Sequence, residues 1–346
     1  MKKYPLLGFI VAALALPAYA QQAGSASTGG TANQGEPGTA AAREALKKQE
    51  GDTDQTTLLK QTLTAVDKQY SLLKRGKLAA TYDLGYTYIG QDKINANFSR
   101  DTGTLTLFNI ENDSSHTITN TLTVDYGVRD NLTASLSLPI MSKYSENPSF
   151  SGLSHSLGDI GVNARFQPFE VQRGKPQVTL TGGVRLPTGR SPFKVDANQG
   201  VATGSGYTSF TGGVSLNHVI DPVALFGNVS YTYNLPAKHL SQIRSDGSVL
   251  KKVAPGNSFG FGLGFAYALS YDITTSFSIS ESISSSTKLT YADGTTSKTK
   301  IQTGGVMSFG LGVRLSPKTT VNLTAGIGLT ADSPNFTLGL SLPLEF

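Results

Sequence analysis

Few side chains in this sequence could perform catalysis or bind a metal, and those present are scattered. The four histidines stand far apart, at His116, His155, His218 and His239, and none has the spacing of a metal ligand set. The sequence has no cysteine, which excludes disulfides and cysteine-based zinc or redox centres. We therefore expect no metal, no cofactor and no enzyme activity, with a serine–histidine pair assembled from loops as the alternative.

Several charged side chains lie at positions that alternate with apolar residues along the chain. They are Asp83, Asp125, Arg129, Asp159, Arg165, Arg185 and Arg314. If the apolar neighbours face lipid, these side chains face the interior of a barrel. They could then form a salt-bridged stack or a selectivity ring in a pore. The interpretation we favour is that they pair across strands and hold the wall in shape.

A run of small residues predicts a nearly bare stretch of that interior wall. Gly260, Gly262 and Gly264 occupy alternate positions of one segment. Glycine within a strand often marks a place where other backbone comes close. The nearest candidate for such a plug is the segment 67–77, with the residues Asp67, Lys68, Tyr70, Leu72, Leu73, Lys74 and Arg75. The alternative is that the glycines relieve crowding or permit curvature of the sheet.

The elements that must position these residues are twelve segments in which every second residue is apolar. Most are close to the roughly 9–11 residues that a bilayer-crossing strand needs. The twelve segments are 78–88, 118–126, 132–140, 160–166, 178–186, 210–216, 223–233, 259–269, 273–279, 307–315, 321–329 and 336–346.

The connections between these segments alternate in length. Short turns such as 129–131 and 219–222 alternate with long polar stretches such as 91–116, 141–156 and 187–206. Short turns on one side and long loops on the other are typical of an outer-membrane barrel with an even strand count. The fold prediction is therefore an all-β membrane protein, a twelve-stranded antiparallel transmembrane β-barrel whose last strand pairs with its first. The alternative fold is a soluble β-sandwich or propeller. The partners of the predicted barrel would be outer-membrane lipid and lipopolysaccharide.

The residues before the barrel divide into three parts. Residues 1–20 have a basic start, an apolar run and a small-x-small cleavage site, which predicts a secretory signal peptide. Residues 21–42 are rich in Gly, Ser, Thr, Ala and Gln and predict a disordered linker. Residues 43–74 predict a helix that either forms a short coiled coil or lies on its own barrel. Its apolar seam consists of Leu59, Leu63, Val66, Tyr70 and Leu73. Removal of the signal peptide with Lys2 and Lys3 lowers the formal charge from +5 to +3, which is too mild to indicate a nucleic-acid partner.

Two patches resemble the phenol meta-pathway outer-membrane transporter superfamily: LGDIGVNARF (157–166) and GGVRLPTGR (182–190). Residues 70–99, preceded by a helix and a low-complexity linker, further resemble the Fap channel, which exports functional-amyloid subunits to the cell surface. The resemblance implies a twelve-stranded barrel, a plug formed before the first strand, and trimers joined by periplasmic coiled coils. By position, 67–77 would be the plug and 43–70 the coiled coil. That coiled coil is short and is interrupted by Gly51 and Asp52.

Three functional hypotheses follow for a barrel of residues 78–346 in the bacterial outer membrane, with its N-terminal segment in the periplasm. The preferred hypothesis is a gated pore that exports disordered amyloid-forming subunits after 67–77 leaves the lumen. The first alternative is a passive channel for small solutes, including aromatic ones. The second is an outer-membrane hydrolase or adhesin that acts through its loops.

Overall fold

The computed structural model describes residues 72–98, 105–147, 150–170, 175–196, 201–220, 223–244, 247–270, 272–315 and 319–344. The predicted signal peptide, the linker, the helix up to residue 71 and the plug residues Asp67, Lys68 and Tyr70 lie outside these ranges. The seam residues Leu59, Leu63 and Val66 also lie outside them. In the described part of the chain, no helix is long and apolar enough to cross a membrane.

The described residues fold as β-strands joined by turns and loops. The strands are β1 Leu78–Phe98, β2 Leu105–Arg129, β3 Leu132–Asn147, β4 Phe150–Leu157, β5 Ile160–Phe166, β6 Gln177–Leu186, β7 Ser209–Ile220, β8 Val223–Asn234, β9 Gln242–Ile243, β10 Val249–Ala254, β11 Ser258–Ala268, β12 Ile273–Ser284, β13 Lys288–Tyr291, β14 Thr296–Lys298, β15 Gln302–Arg314, β16 Thr320–Gly328 and β17 Phe336–Leu344.

Thirteen of these strands form one closed antiparallel barrel, in the order β2-β1-β17-β16-β15-β12-β11-β8-β7-β6-β5-β3-β4 with β2 also paired to β3. Both β4 and β5 pair with β3, one above the other, so together they make a single interrupted wall strand. The barrel therefore has twelve wall strands, as predicted. Closure comes from β17, which pairs with β1 from Ala80↔Leu344 to Tyr88↔Phe336. This pairing leaves no open sheet edge in hydrocarbon.

The two faces of the wall follow the two-residue period of the sequence. On β11, Phe259 and Leu263 are 44% and 68% exposed on the outer face. Ser258, directly before Phe259, is buried on the inner face. The same alternation places Leu, Val, Ile and Phe outside and mostly Ser, Thr, Asn and Gly inside on the other wall strands. An apolar exterior around a polar interior is the arrangement that a transmembrane barrel requires.

Two stretches predicted as long loops, 91–116 and 141–156, are largely strand. The β1–β2 ladder continues to Phe98↔Leu105, and the β3–β4 ladder runs to Asn147↔Phe150. These extensions have mostly polar side chains on both faces of the sequence pattern, so the apolar period of two disappears although the backbone pairing continues. Hydrophobic periodicity predicts the part of a strand that contacts lipid. It does not predict that the strand continues into water.

The barrel has one end with short turns and one end with long loops, called here the short-turn end and the long-loop end. The facing ends of β2 and β3, of β7 and β8, and of β11 and β12 lie at the short-turn end. At the long-loop end, the connections 187–208, 235–257 and 285–301 fold together. Strands β9, β10, β13 and β14 form a separate four-stranded sheet from the last two connections.

We call these three connections the cap, because they share a hydrophobic core distinct from the barrel wall. Leu250 and Val253 are completely buried, and Leu289 is nearly so. The core also contains side chains of the first connection. Its buried members are Phe193, Tyr207, Leu240, Leu250, Val253 and Leu289.

Candidate functional site: the barrel lumen and its two ends

The wall of the lumen is lined mostly by hydroxyl groups. Buried serines and threonines face inward on most wall strands, and they include Thr87, Thr117, Thr119, Thr123, Thr133, Ser135, Thr179, Ser215, Thr232, Ser258, Ser280, Ser282 and Ser308. Short hydroxyl side chains leave space along the axis and can bond to water, solute or the neighbouring backbone. The interior is therefore suited to polar contents.

One pair of the predicted lumen charges meets inside the wall near the short-turn end. The Arg165 Nη2 lies 3.1 Å from Asp125 Oδ1, and the two side chains are 14% and 8% exposed. The Ser135 hydroxyl, on the strand between them, donates to the same carboxylate. This is a cross-strand pair of the kind favoured from the sequence, and it holds β2, β3 and β5 together.

Two more of the predicted lumen charges bond to residues of other strands. Asp83 accepts a 2.6 Å hydrogen bond from Ser341 across the β1–β17 seam. Arg185 donates to Ser209 at 2.9 Å, and its guanidinium lies 5.8 Å from the centre of the Tyr207 ring. The remaining two arginines, Arg129 and Arg314, are exposed at the ends of β2 and β15 at the short-turn end.

The described part of the predicted plug is residues 72–77, called here the lead-in segment. It turns at Gly76, which has a φ of +74°, a backbone conformation that favours glycine. Its backbone then bonds to the wall, with Gly76 N donating to Gly127 O at 2.7 Å and Gly127 N donating to Lys77 O at 2.9 Å. Arg75 N donates to the Asp130 carboxylate at 3.0 Å. The lead-in segment thus lies on the β2–β3 turn.

The start of the lead-in segment contacts the inner face of the wall. Leu73 N donates to the hydroxyl of Thr133 at 3.0 Å, and Thr133 is fully buried on the lumen side of β3. Gly127 lies between Tyr126 and Val128, which are exposed on the outer face, so Gly127 faces the lumen. A side chain there would overlap the carbonyl oxygens of Lys74 and Leu73. The chain before β1 is therefore held against the lumen side of the short-turn end.

The glycine wall of β11 has a neighbour of its own. The ring of Phe226, buried on the inner face of β8, occupies the space where a side chain of Gly264 would stand, and Ser230 Oγ lies 2.9 Å from the corresponding position at Gly260. Gly262, between them, is buried on the same inner face. Side chains of β8 thus occupy part of the space that the glycines of β11 leave. The prediction that Gly260, Gly262 and Gly264 face a plug stays open, since the described lead-in segment contacts β2 and β3.

Sequence reasoning did not single out Phe226, Gly127 or Thr133. Phe226 had a signal, because it is an aromatic residue at an inward position of a strand whose other apolar residues alternate outward. Gly127 and Thr133 had none, since their role comes from contact with a segment more than fifty residues away.

The outer face near the long-loop end has two histidine contacts. His116 Nδ1 lies 2.8 Å from the Tyr86 hydroxyl, and the His116 ring is 4.9 Å from the ring of Tyr88. His155 Nδ1 lies 2.7 Å from the Ser142 hydroxyl on the paired strand. Both contacts lie on the side that faces away from the lumen, where tyrosine rings mark the boundary between lipid and water.

Comparison with known proteins bears on this barrel at the level of family and fold. The family model described as "Putative MetA-pathway of phenol degradation" matches residues 103–346, which include eleven of the twelve wall strands in full or in part. The chain belongs to this family. The superfamily inferred from 157–166 and 182–190 is thereby confirmed, whereas the narrower Fap resemblance stays a prediction.

The fold of this family member is similar to solved outer-membrane barrels. It matches the COG4313 outer membrane channel from Pseudomonas putida F1 with a TM-score of 0.59 and 16% identity, over 81% of this chain and 98% of that chain. A weaker similarity links it to the translocator domain of the autotransporter NalP from Neisseria meningitidis, with a TM-score of 0.48, 12% identity, and 89% and 98% of the two chains covered. At 16% identity the similarity to the COG4313 channel shows the fold alone, a barrel of the bacterial outer-membrane type.

Proposed function

We propose that this protein is a gated outer-membrane channel that exports disordered, amyloid-forming polypeptides to the cell surface. The short-turn end would face the periplasm and the long-loop end the exterior, since outer-membrane barrels have short periplasmic turns and longer extracellular loops. The gate would be the segment 67–77, and homotrimers would form through the helix of residues 43–74. The secreted subunits, lipid and lipopolysaccharide would be its partners.

The observation that carries this proposal is the course of the chain before β1. Leu73 is bonded to Thr133 on the lumen side, and the carbonyl groups of Leu73 and Lys74 cover Gly127 on the same side. Leu73 thus lies at the inner rim of the pore and not on the outside of the barrel. Among the described residues, the lead-in segment is hydrogen-bonded to the wall through Leu73 N, Arg75 N and the two bonds at Gly127. Contacts of this number and exposure suit a segment that must be released.

The lining favours an unfolded chain as cargo over an oily solute. An extended polypeptide carries a donor and an acceptor at nearly every residue, and the hydroxyl groups of the wall can exchange bonds with it without holding it at one point. A site that binds one small molecule is instead mostly apolar with a few fixed polar groups. The Ser- and Thr-rich wall lacks that character over most of the strands described.

A second candidate is passive passage of small aromatic molecules. It is favoured by Phe226, whose ring faces the lumen of an otherwise hydroxyl-lined wall, and by the description of the family. Stacking on the Phe226 ring would give aromatic solutes a transient binding position in the lumen. The hydrolase or adhesin alternative has the Ser142–His155 contact, which lies on the outward face.

The test compares the chain that begins at Gln21 with a version that begins at Gly76, each inserted into planar bilayers and into liposomes. Export through a gated pore predicts a mostly closed longer chain and a wide, steady conductance after truncation. Liposomes that contain the truncated chain should release a trapped disordered peptide rich in Gln, Asn and Ala. Equal conductance of the two chains would contradict the gate. Release of a small phenolic dye without release of the peptide would favour the second candidate.

A further inference from the structure

The wall strand made of β4 and β5 is interrupted by a bulge at the rim of the long-loop end. Between the pairs Ile140↔Leu157 and Ser137↔Gly161, two residues of β3 face three residues of the opposite strand. Pro139 on β3 has no N–H to donate there, although its carbonyl accepts from Gly158 N at 2.9 Å. A bulge at a barrel rim redirects a side chain, and here the redirected residue is Asp159.

The first connection of the cap, 187–208, closes this interruption. The Thr188 hydroxyl donates to Gly158 O at 2.8 Å and accepts from Ile160 N at 2.9 Å, so it satisfies two backbone groups that the bulge leaves without a strand partner. The loop is therefore joined to the wall at its start, immediately after β6 ends.

Asp159 joins the same loop to the wall a second time. Its Oδ1 accepts from Gly189 N at 3.0 Å, and its Oδ2 accepts from Ser205 N at 2.7 Å and from the Ser205 hydroxyl at 2.5 Å. Gly189 and Gly204 touch each other next to this carboxylate, at a distance that admits no side chain on either. One ionised side chain thus bonds to both ends of the loop and draws them together. A carboxylate suits this role because it offers acceptors on both oxygens.

The loop held in this way lies inside the mouth of the barrel. Residues 201–205 are buried without interruption. The hydroxyl oxygens of Thr203 and Ser156 are 2.6 Å apart, and Ser156 follows the buried Ser154 on the inner face of β4. Beyond the loop, Tyr207 enters the hydrophobic core of the cap and its ring lies beside Arg185 of the lumen wall.

We propose that the cap is a second closure of the pore, at the end opposite the lead-in segment, and that Asp159 is the positioning residue that keeps it shut. Opening requires the three hydrogen bonds of Asp159 and the bond from Thr203 Oγ1 to Leu157 O to break. Residues 201–208 can then move away from the wall together with the cap core, which contains Tyr207. The cap excludes bulky molecules that approach from outside, whereas ions and an extended chain can still pass from the lumen once the lead-in segment is absent. This goes beyond the proposed function, because it concerns access from the long-loop side and holds for any cargo.

Access to the lumen from the long-loop side tests this directly. Because the chain has no cysteine, Ser230→Cys on the inner face of β8 gives a single label site below the cap. Intact cells that carry the full chain are treated with a bulky, membrane-impermeant maleimide, and the labelling rate is measured. A small maleimide, applied in parallel, reports whether the thiol itself is reactive.

The expected result is a graded series. The parent chain labels slowly with the bulky reagent, and Asp159→Ala labels roughly tenfold faster or more, the factor expected when at least one hydrogen bond to a charged group is lost. Asp159→Asn falls between them, because its amide nitrogen cannot accept from Ser205. Asp332→Asn is the matched control, since Asp332 accepts from Thr303 N at 3.1 Å in a different loop of the same end.

Two outcomes would overturn the inference. Equal labelling of the parent chain and Asp159→Ala, with both barrels folded by the heat-dependent shift on a gel, would mean that Asp159 does not control access. Rapid labelling of the parent chain by the bulky reagent would mean that the cap does not close the mouth. Neither outcome involves a passenger or the lead-in segment, so the proposed function stands or falls separately.

Discussion

At the short-turn end a segment before β1 touches the wall through its backbone, whereas at the long-loop end the loops have a core of their own. Lys74, Arg75 and Lys77 of the lead-in segment are exposed. By contrast, the cap buries Leu250 and Val253 completely. Burial of large side chains and the hydrogen bonds of a carboxylate give a folded unit, and a few backbone bonds at a rim give a segment that detaches easily. We therefore expect the lead-in segment and the cap to respond to different signals.

The largest effect is expected from a cavity in the cap. Leu250→Ala should destabilise the cap by about 2–5 kcal/mol, because it removes a fully buried side chain from a core of only six buried hydrophobic residues. Hydrogen exchange should rise in 235–257 and 285–301, with the wall strands unchanged. Ile243→Ala is the control, since Ile243 is 69% exposed on the same small sheet. Uniform loosening of the barrel would mean that the cap is not a separate unit.

The second largest effect should come from a side chain at Gly127. Gly127→Val places its Cβ against the carbonyl oxygens of Leu73 and Lys74, and Gly127 itself has no positive φ that would forbid valine. The lead-in segment should leave the rim, which tryptic cleavage at Lys74 and Arg75 measures. Gly182→Val is the matched control, because a Cβ there meets nothing within 4 Å. Unchanged cleavage would show that the contact is not required to hold the segment.

The wall of this molecule could be predicted from the sequence far better than the contacts at its two ends. Strands such as β11 and β17 are recognisable from their alternation, because lipid on one side and a polar lumen on the other impose a period of two. The cap could not be found in this way, since Leu250 and Leu289 come from different loops that lie far apart in the sequence. Asp159 was predicted to line the lumen from its place in the pattern. The bulge beside Pro139 shifts that pattern by one residue and directs its carboxylate to the loop.

A smaller effect is expected at Thr133. Thr133→Val keeps the shape of the side chain but removes the acceptor of the Leu73 N–H, at a cost of about 0.5–1.5 kcal/mol. Tryptic cleavage of the lead-in segment should therefore accelerate by about two- to tenfold. Thr133→Ser retains the hydroxyl and should behave as the parent chain. If serine and valine act alike, the hydroxyl does not hold the segment and the path into the lumen needs another anchor.

The smallest effect should follow from Asp130, which accepts from Arg75 N on the exposed side of the turn. Water can replace that bond, so Asp130→Ala should change the stability of the lead-in segment by no more than about 0.5 kcal/mol. Cleavage at Lys74 and Arg75 in Asp130→Ala should stay close to that of the parent chain, at low and at high salt. An effect as large as that of Gly127→Val would place the main anchor on the solvent side. Surface charge would then hold the short-turn end, and the contrast between the two ends would become one between two carboxylates, Asp130 and Asp159.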